Sequence, residues 1–314
     1  MQTQKTNNQT TILQRLLGEP TPTKASGLAY SLAAILPSIL SVLCMAVFAC
    51  FGLMQEGYAT QDWYLYFAYI LPQIGFALVA WIVLRYQKRS VLQTAKNQAC
   101  KIKYLFMALL LQIGLFSLSE LNTLFLQFLQ AFGYTPQEMH LPSMDGVGFV
   151  GALIAVALLP AIFEELFFRG ILLEGLKPLG ETAAALTCGA LFALYHQNPP
   201  QTIYQFCCGT AFAFVALRSG SILPTVLAHF INNAVILTLY KFGVQTFSTP
   251  VFIVYVSVSV LCLIAAAWWI FVQDRKNAAK KQETIATVKT FFKYAAVGIF
   301  VCALTWILML VTGL

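Results

Sequence analysis

From Gly27 the chain runs without a single charged residue until Glu56. A run of about 20 uncharged, apolar residues is long enough to cross the hydrocarbon core of a bilayer as a helix. Eight more apolar stretches follow. The nine lie at about 27–54, 63–84, 104–131, 147–173, 182–198, 201–217, 221–241, 250–273 and 294–313. The fifth and sixth are short for full spans and fit a tilted or partly re-entrant path. Only 10% of the 314 residues are charged and 59% are hydrophobic, with a mean hydropathy of +0.74. A soluble globular chain carries about 25% charged residues. Composition therefore excludes an ordinary cytosolic enzyme and a disordered chain. It points to an all-α, polytopic transmembrane helix bundle of about eight to nine spans. The first run is too long and too far from Met1 for a cleaved signal, so it is expected to persist as an anchor.

The basic residues test the span count. With the N-terminus in the cytoplasm and strict alternation, the inner side receives Lys5, Arg15 and Lys24, then Arg85, Lys88, Arg89, Lys96, Lys101 and Lys103. It also receives Arg169, Lys177 and Arg218, and finally Arg275, Lys276, Lys280, Lys281, Lys289 and Lys293. That is 18 of the 19 bases, with only Lys241 outside, as the positive-inside rule requires. The net charge of +7 is thus explained by an anionic lipid surface, and nucleic acid is not expected as a partner. The expected division is a polar N-terminal tail (1–26, with a short interfacial turn at 12–17), accessory spans (27–146), a central core (147–241) and C-terminal spans (242–314). The eight cysteines show no CxxC or Cys/His zinc spacing and read as reduced, buried small hydrophobes.

Charged residues inside spans cost a few kcal/mol and need a reason. Here they cluster in the central core. The fourth span carries Pro160, Glu164, Glu165 and Arg169. At about 100° per residue the two adjacent carboxylates point in different directions. Glu165 and Arg169 are an i,i+4 pair in the favourable order, acid first. Arg169 can therefore neutralise Glu165 and leave Glu164 to face the bundle interior. Pro160, one turn earlier, is expected to kink the helix and let water reach Glu164. The fifth span places Phe192 and His196 on one face, and the seventh does the same for His229 and Asn233. Asn232 points elsewhere and reads as a capping or packing residue. Counted from the span ends, Glu164 and His229 lie about 13 and 12 Å deep and His196 about 21 Å if untilted, so tilt can bring all three to one depth.

A carboxylate beside an imidazole can take a proton from water and later return it to a leaving amine. The second histidine and the asparagine amide can donate to an oxyanion. This is a constellation for peptide hydrolysis with water as nucleophile. No GxSxG elbow or HExxH motif competes with it. A metal site built from Glu164, His196 and His229 is the other use of these groups, ranked below the metal-free one.

The three motifs, Glu164-Glu165-xxx-Arg169, Phe192-xxx-His196 and His229-xxx-Asn233, resemble those of the CPBP family: CAAX proteases and bacteriocin-processing enzymes, also called Abi. The resemblance covers roughly 150–240. It implies a membrane-embedded glutamic endopeptidase without a cofactor, in an all-helical fold and a plasma membrane of bacterial type. It assigns Glu164 and His196 to water activation, His229 and Asn233 to the oxyanion, and Glu165 and Arg169 to support. The implied partners are a membrane-protein or apolar peptide substrate and membrane lipids. Two other classes stay open: a proton-coupled transporter, whose relays also use buried acids and histidines, and a non-catalytic immunity or scaffold protein.

Overall fold

A computed structural model of the chain describes residues 12–95, 100–244, 246–275 and 285–314. The first eleven residues of the polar tail lie outside these, as do Lys96, Lys276, Lys280 and Lys281. Nine longer helices follow in order among the described residues, one for each apolar stretch. They are α1 (Pro22–Cys50), α2 (Asp62–Gln87), α3 (Ile102–Ala131), α4 (Gly146–Leu179), α5 (Glu181–Tyr195), α6 (Thr202–Ser219), α7 (Leu223–Lys241), α8 (Thr249–Gln273) and α9 (Ile285–Gly313). Seven are long and apolar enough to cross a membrane. The exceptions are α5 and α6, the two stretches expected to be short. The protein is an all-α, multi-pass integral membrane bundle.

Two boundaries differ from the sequence reading. Helix α1 starts at Pro22, inside the polar tail, because Thr21 caps it: its side chain accepts from the Lys24 backbone N–H, and proline at the first turn loses nothing. Helix α9 starts at Ile285, well before the last apolar stretch. Phe291 there is buried while Lys289 and Lys293 flank it, an amphipathic turn that a count of apolar residues misses. The short turn at 12–17 forms a helix (Ile12–Leu17).

The core gathers around α4. Helices α5 and α6 make a tight hairpin beside it, α2 packs on its other face, and α7 crosses near its middle. The hairpin is close because glycines meet at the crossing. A Cβ on Gly209 would lie 2.9 Å from the Gly189 Cα, and one on Gly189 would strike Thr210. Helix α1 ties the hairpin down through two tyrosines. Tyr30 Oη donates to Leu191 O (3.0 Å), and Tyr195 Oη donates to Ala33 O (3.2 Å).

Helix α4 is not regular. Its middle α-helical segment, Leu159–Glu165, lies between two π-helical stretches, Leu153–Leu158 and Leu166–Leu172. Such wide turns are rare and concentrate at functional sites. The kink expected at Pro160 thus takes the form of a wide turn ending just before it. Pro160 has no N–H for the carbonyl of Val156, four residues earlier. Asn233 Nδ2 donates to that oxygen instead, at 3.1 Å.

Candidate active site

The two adjacent carboxylates of α4 have different surroundings. Glu165 is fully buried, and its Oε1 accepts from Arg169 Nη1 at 2.7 Å and from His229 Nδ1 at 2.9 Å. Arg169 is equally buried and also donates through Nη2 to Gly209 O (3.1 Å). Its guanidinium lies 4.6 Å from the ring centre of Phe192, 5.4 Å from that of Phe212 and 5.8 Å from that of Phe168. These aromatic faces provide electrostatic stabilisation for a cation far from water. The i,i+4 pairing foreseen in the sequence is therefore present, and α7 adds a third member to it.

Glu164 turns the other way. It is half-buried, and its Oε1 accepts one hydrogen bond, from Gln73 Nε2 of α2 at 3.2 Å. It lies within electrostatic reach of His196 and Tyr195.

His196 stands at the C-terminal end of α5 rather than inside a span, because the helix stops at Tyr195. The next residue, Gln197, turns the chain in a left-handed conformation with φ 52°. The His196 ring packs 4.6 Å from Phe192, and Nδ1 lies 2.8 Å from Phe192 O. A carbonyl can only accept, so Nδ1 carries the proton and Nε2 of the neutral ring keeps a lone pair. Phe192 stands between the histidines, with its ring centre 6.2 Å from that of His229.

The same reasoning fixes His229. Its Nδ1 must donate to the Glu165 carboxylate, which leaves Nε2 as the outward atom. Asn233, one turn along α7, spends one amide hydrogen on Val156 O and accepts through Oδ1 from Asn232 Nδ2 at 3.0 Å. A second amide hydrogen on Asn233 is left over.

Four polar residues of this region were not singled out for function by sequence. Gln73 holds Glu164. Asn232, read as packing, is the centre of a buried network. Its Oδ1 accepts from Gln112 Nε2 of α3 (2.9 Å) and from Tyr204 Oη of α6 (2.8 Å). This network fixes α7 against α3 and α6 and so sets where His229 and Asn233 face. Gln73, Gln112 and Tyr204 carry no charge, and an uncharged polar residue in an apolar run gives little sequence signal. Among the described residues no three or more His, Cys, Asp or Glu side chains come together in a set able to hold a metal ion.

The model of the family described as Rce1-like, type II CAAX prenyl endopeptidase Rce1-like, matches residues 146–235. That segment runs from the first residue of α4 into α7 and contains all six site residues expected from sequence. Over 146–235, well under half of the chain, the sequence is thus similar to the Rce1-like family of membrane CAAX-protease-type endopeptidases, in agreement with the resemblance its motifs carry. The match leaves α1 to α3 and α8 to α9 outside. No curated protein and no solved structure matches the chain.

Proposed function

We propose that this protein hydrolyses a peptide bond of a membrane-associated or apolar peptide, within the bilayer and with water as the nucleophile. The single observation that carries this reading is the unequal treatment of Glu164 and Glu165. Glu165 is taken up by a cation and an imidazole, a structural use. Glu164 is given one neutral donor, and among the described residues no cation is hydrogen-bonded to it. A purely structural acid in such surroundings would be expected to carry a counter-charge.

Glu164 and the Nε2 lone pair of His196 hold a water between them. Glu164 takes one proton as the water oxygen attacks the carbonyl carbon. The carbonyl oxygen becomes negative and faces two donors, His229 Nε2–H and the remaining hydrogen of Asn233. For His229 to donate there, its ring must carry both protons, and Glu165 on Nδ1 is the carboxylate that such an imidazolium faces. The proton on Glu164 then passes to the leaving nitrogen, the C–N bond breaks, and a carboxylic acid and an amine leave. No metal ion or cofactor enters this scheme.

The matching family is described as a type II CAAX prenyl endopeptidase. For this chain the proposed class is broader: an apolar or lipid-anchored peptide tail, in a plasma membrane of bacterial type. The test is a comparison of membrane peptides in cells carrying the wild type and cells carrying Glu164→Ala at equal protein level. A set of shortened peptides present only with the wild type is the expected result. Identical peptide profiles would overturn the proposal.

A further inference from the structure

Gln73 belongs to no recognised motif and lies on α2, outside the segment that matches the family. It is 5% exposed. A carboxylate can only accept, so the amide nitrogen of Gln73 must face Glu164, which fixes the orientation of the side chain. Its Oε1 is then committed to a buried position without a hydrogen-bond partner among the described residues. An orphaned buried acceptor is costly, and native structures carry few of them.

Oε1 is closed off in this state, so a partner reaches it only as the side chains lining the groove beside Gln73 part. With Ile74, Leu78, Leu159 and Phe163, Gln73 lines this groove of about 360 Å³ between α2 and α4. Ile74 is 48% exposed and Leu78 37% on the outer surface of a membrane-spanning helix, so the groove opens sideways toward the lipid. Among the described residues Gln73 is its one polar lining residue. An acyl chain in this groove would offer Oε1 no donor. An extended peptide would. A backbone N–H brought into hydrocarbon has the complementary deficit, because it has left water and has no helix to satisfy it.

We propose that Gln73 is a positioning and substrate-recognition residue. Its nitrogen holds one oxygen of Glu164. Its carbonyl oxygen accepts a backbone N–H from an extended, apolar substrate segment that enters by the groove between α2 and α4. One side chain thereby sets the distance from the bound segment to the carboxylate. The inference rests on the hydrolase reading above and adds to it the route and conformation of the substrate.

A chemical double-mutant cycle tests it. Full-length protein in phospholipid nanodiscs is given an internally quenched apolar peptide, chosen from a panel that includes a farnesylated CAAX peptide. Each backbone amide near the scissile bond, but not the scissile amide itself, is replaced in turn by an ester, which deletes one N–H; its weaker carbonyl affects wild type and variant alike and cancels in the comparison. Wild type is compared with Gln73→Met, which has nearly the same volume and no amide. In the wild type one ester position is expected to lower kcat/KM about tenfold, mainly through KM, the loss of one hydrogen bond. In Gln73→Met the same ester is expected to cost less than about twofold, since its partner is already gone. If Gln73→Met loses its cooperative thermal transition, Gln73→Asn, which withdraws the amide by one methylene, carries the same prediction. Equal ester losses in wild type and variant would overturn the role of Gln73 while leaving hydrolysis intact. A wild type that cleaves no peptide of the panel would overturn the hydrolase reading and this inference together.

Discussion

Glu165 on α4 and His229 on α7, 64 residues apart in sequence, share a hydrogen bond of 2.9 Å inside the bundle. Through Arg169 the same carboxylate oxygen reaches Gly209 on α6 and the ring of Phe192 on α5. One buried acid thus links the four helices that make up the matched domain, and it orients the imidazole proposed to face the oxyanion.

The Glu165–Arg169 pair is expected to matter for stability in a specific way. Arg169→Ala leaves a buried carboxylate without its permanent cation, and breaking a buried pair from one side costs about 3–5 kcal/mol. Replacing both partners, as Glu165→Leu with Arg169→Met, removes the stranded charge and should restore much of the loss. Thermal melting in detergent measures this. A double variant as unstable as the sum of the two singles would contradict the account. Even the stable double variant is expected to lose activity, because His229 no longer has its orienting partner.

Asn232 should behave as a network centre. Asn232→Ala strands Gln112 Nε2, Tyr204 Oη and Asn233 Oδ1 at once. A loss of about 1–3 kcal/mol is expected from unsatisfied buried groups. Tyr204→Phe removes a single donor and should cost less, nearer the ~0.6 kcal/mol typical of interhelical hydrogen bonds in membranes. Equal melting temperatures for the two variants would refute the network reading.

The glycine crossing of α5 and α6 predicts a third outcome. Gly209→Ala places a Cβ 2.9 Å from the Gly189 backbone, which has no flexible atom to yield. The hairpin must open, at a cost of about 1–3 kcal/mol for overpacking. Since Gly209 O also accepts from Arg169, activity should fall with stability. A fully stable and active Gly209→Ala variant would show that the helices do not pack this closely.

The charge segregation of the sequence predicts a topology. Single cysteines at Gln55, Ser90 and Glu138, in a background free of the native cysteines, should react with an impermeant thiol reagent from the outside, the inside and the outside respectively. These positions are exposed in the turns that follow α1, α2 and α3. Labelling of Ser90→Cys from the outside would reverse the assigned orientation.

Much of this fold could be read beforehand, for a physical reason. A bilayer forces long uncharged runs, so each of the nine stretches became a helix, and even the short length of α5 and α6 was visible. The site residues stood out because charge in hydrocarbon is costly, and i,i+4 spacing gave the Glu165–Arg169 pair directly. What stayed hidden depended on neighbours distant in the chain. His229 was read as facing an oxyanion, or as a metal ligand with Glu164 and His196, since nothing in its local sequence reveals that its Nδ1 meets Glu165. Asn232 was passed over because its partners, Gln112 and Tyr204, come from α3 and α6. The π turns around Leu159–Glu165 escape periodicity, because one extra residue per turn leaves an apolar run looking just as apolar. The end of α5 at Tyr195 was missed because His196 and Gln197 carry no glycine signal for the left-handed turn that ends the helix.

The most direct measurement of the central claim is peptide cleavage by the purified protein in lipid nanodiscs, with wild type, Glu164→Ala and His196→Ala compared at matched melting temperature. Cleavage by the wild type, and a loss of at least about a hundredfold in each variant, is predicted from the removal of a general acid–base group. Undiminished cleavage by both folded variants would contradict it.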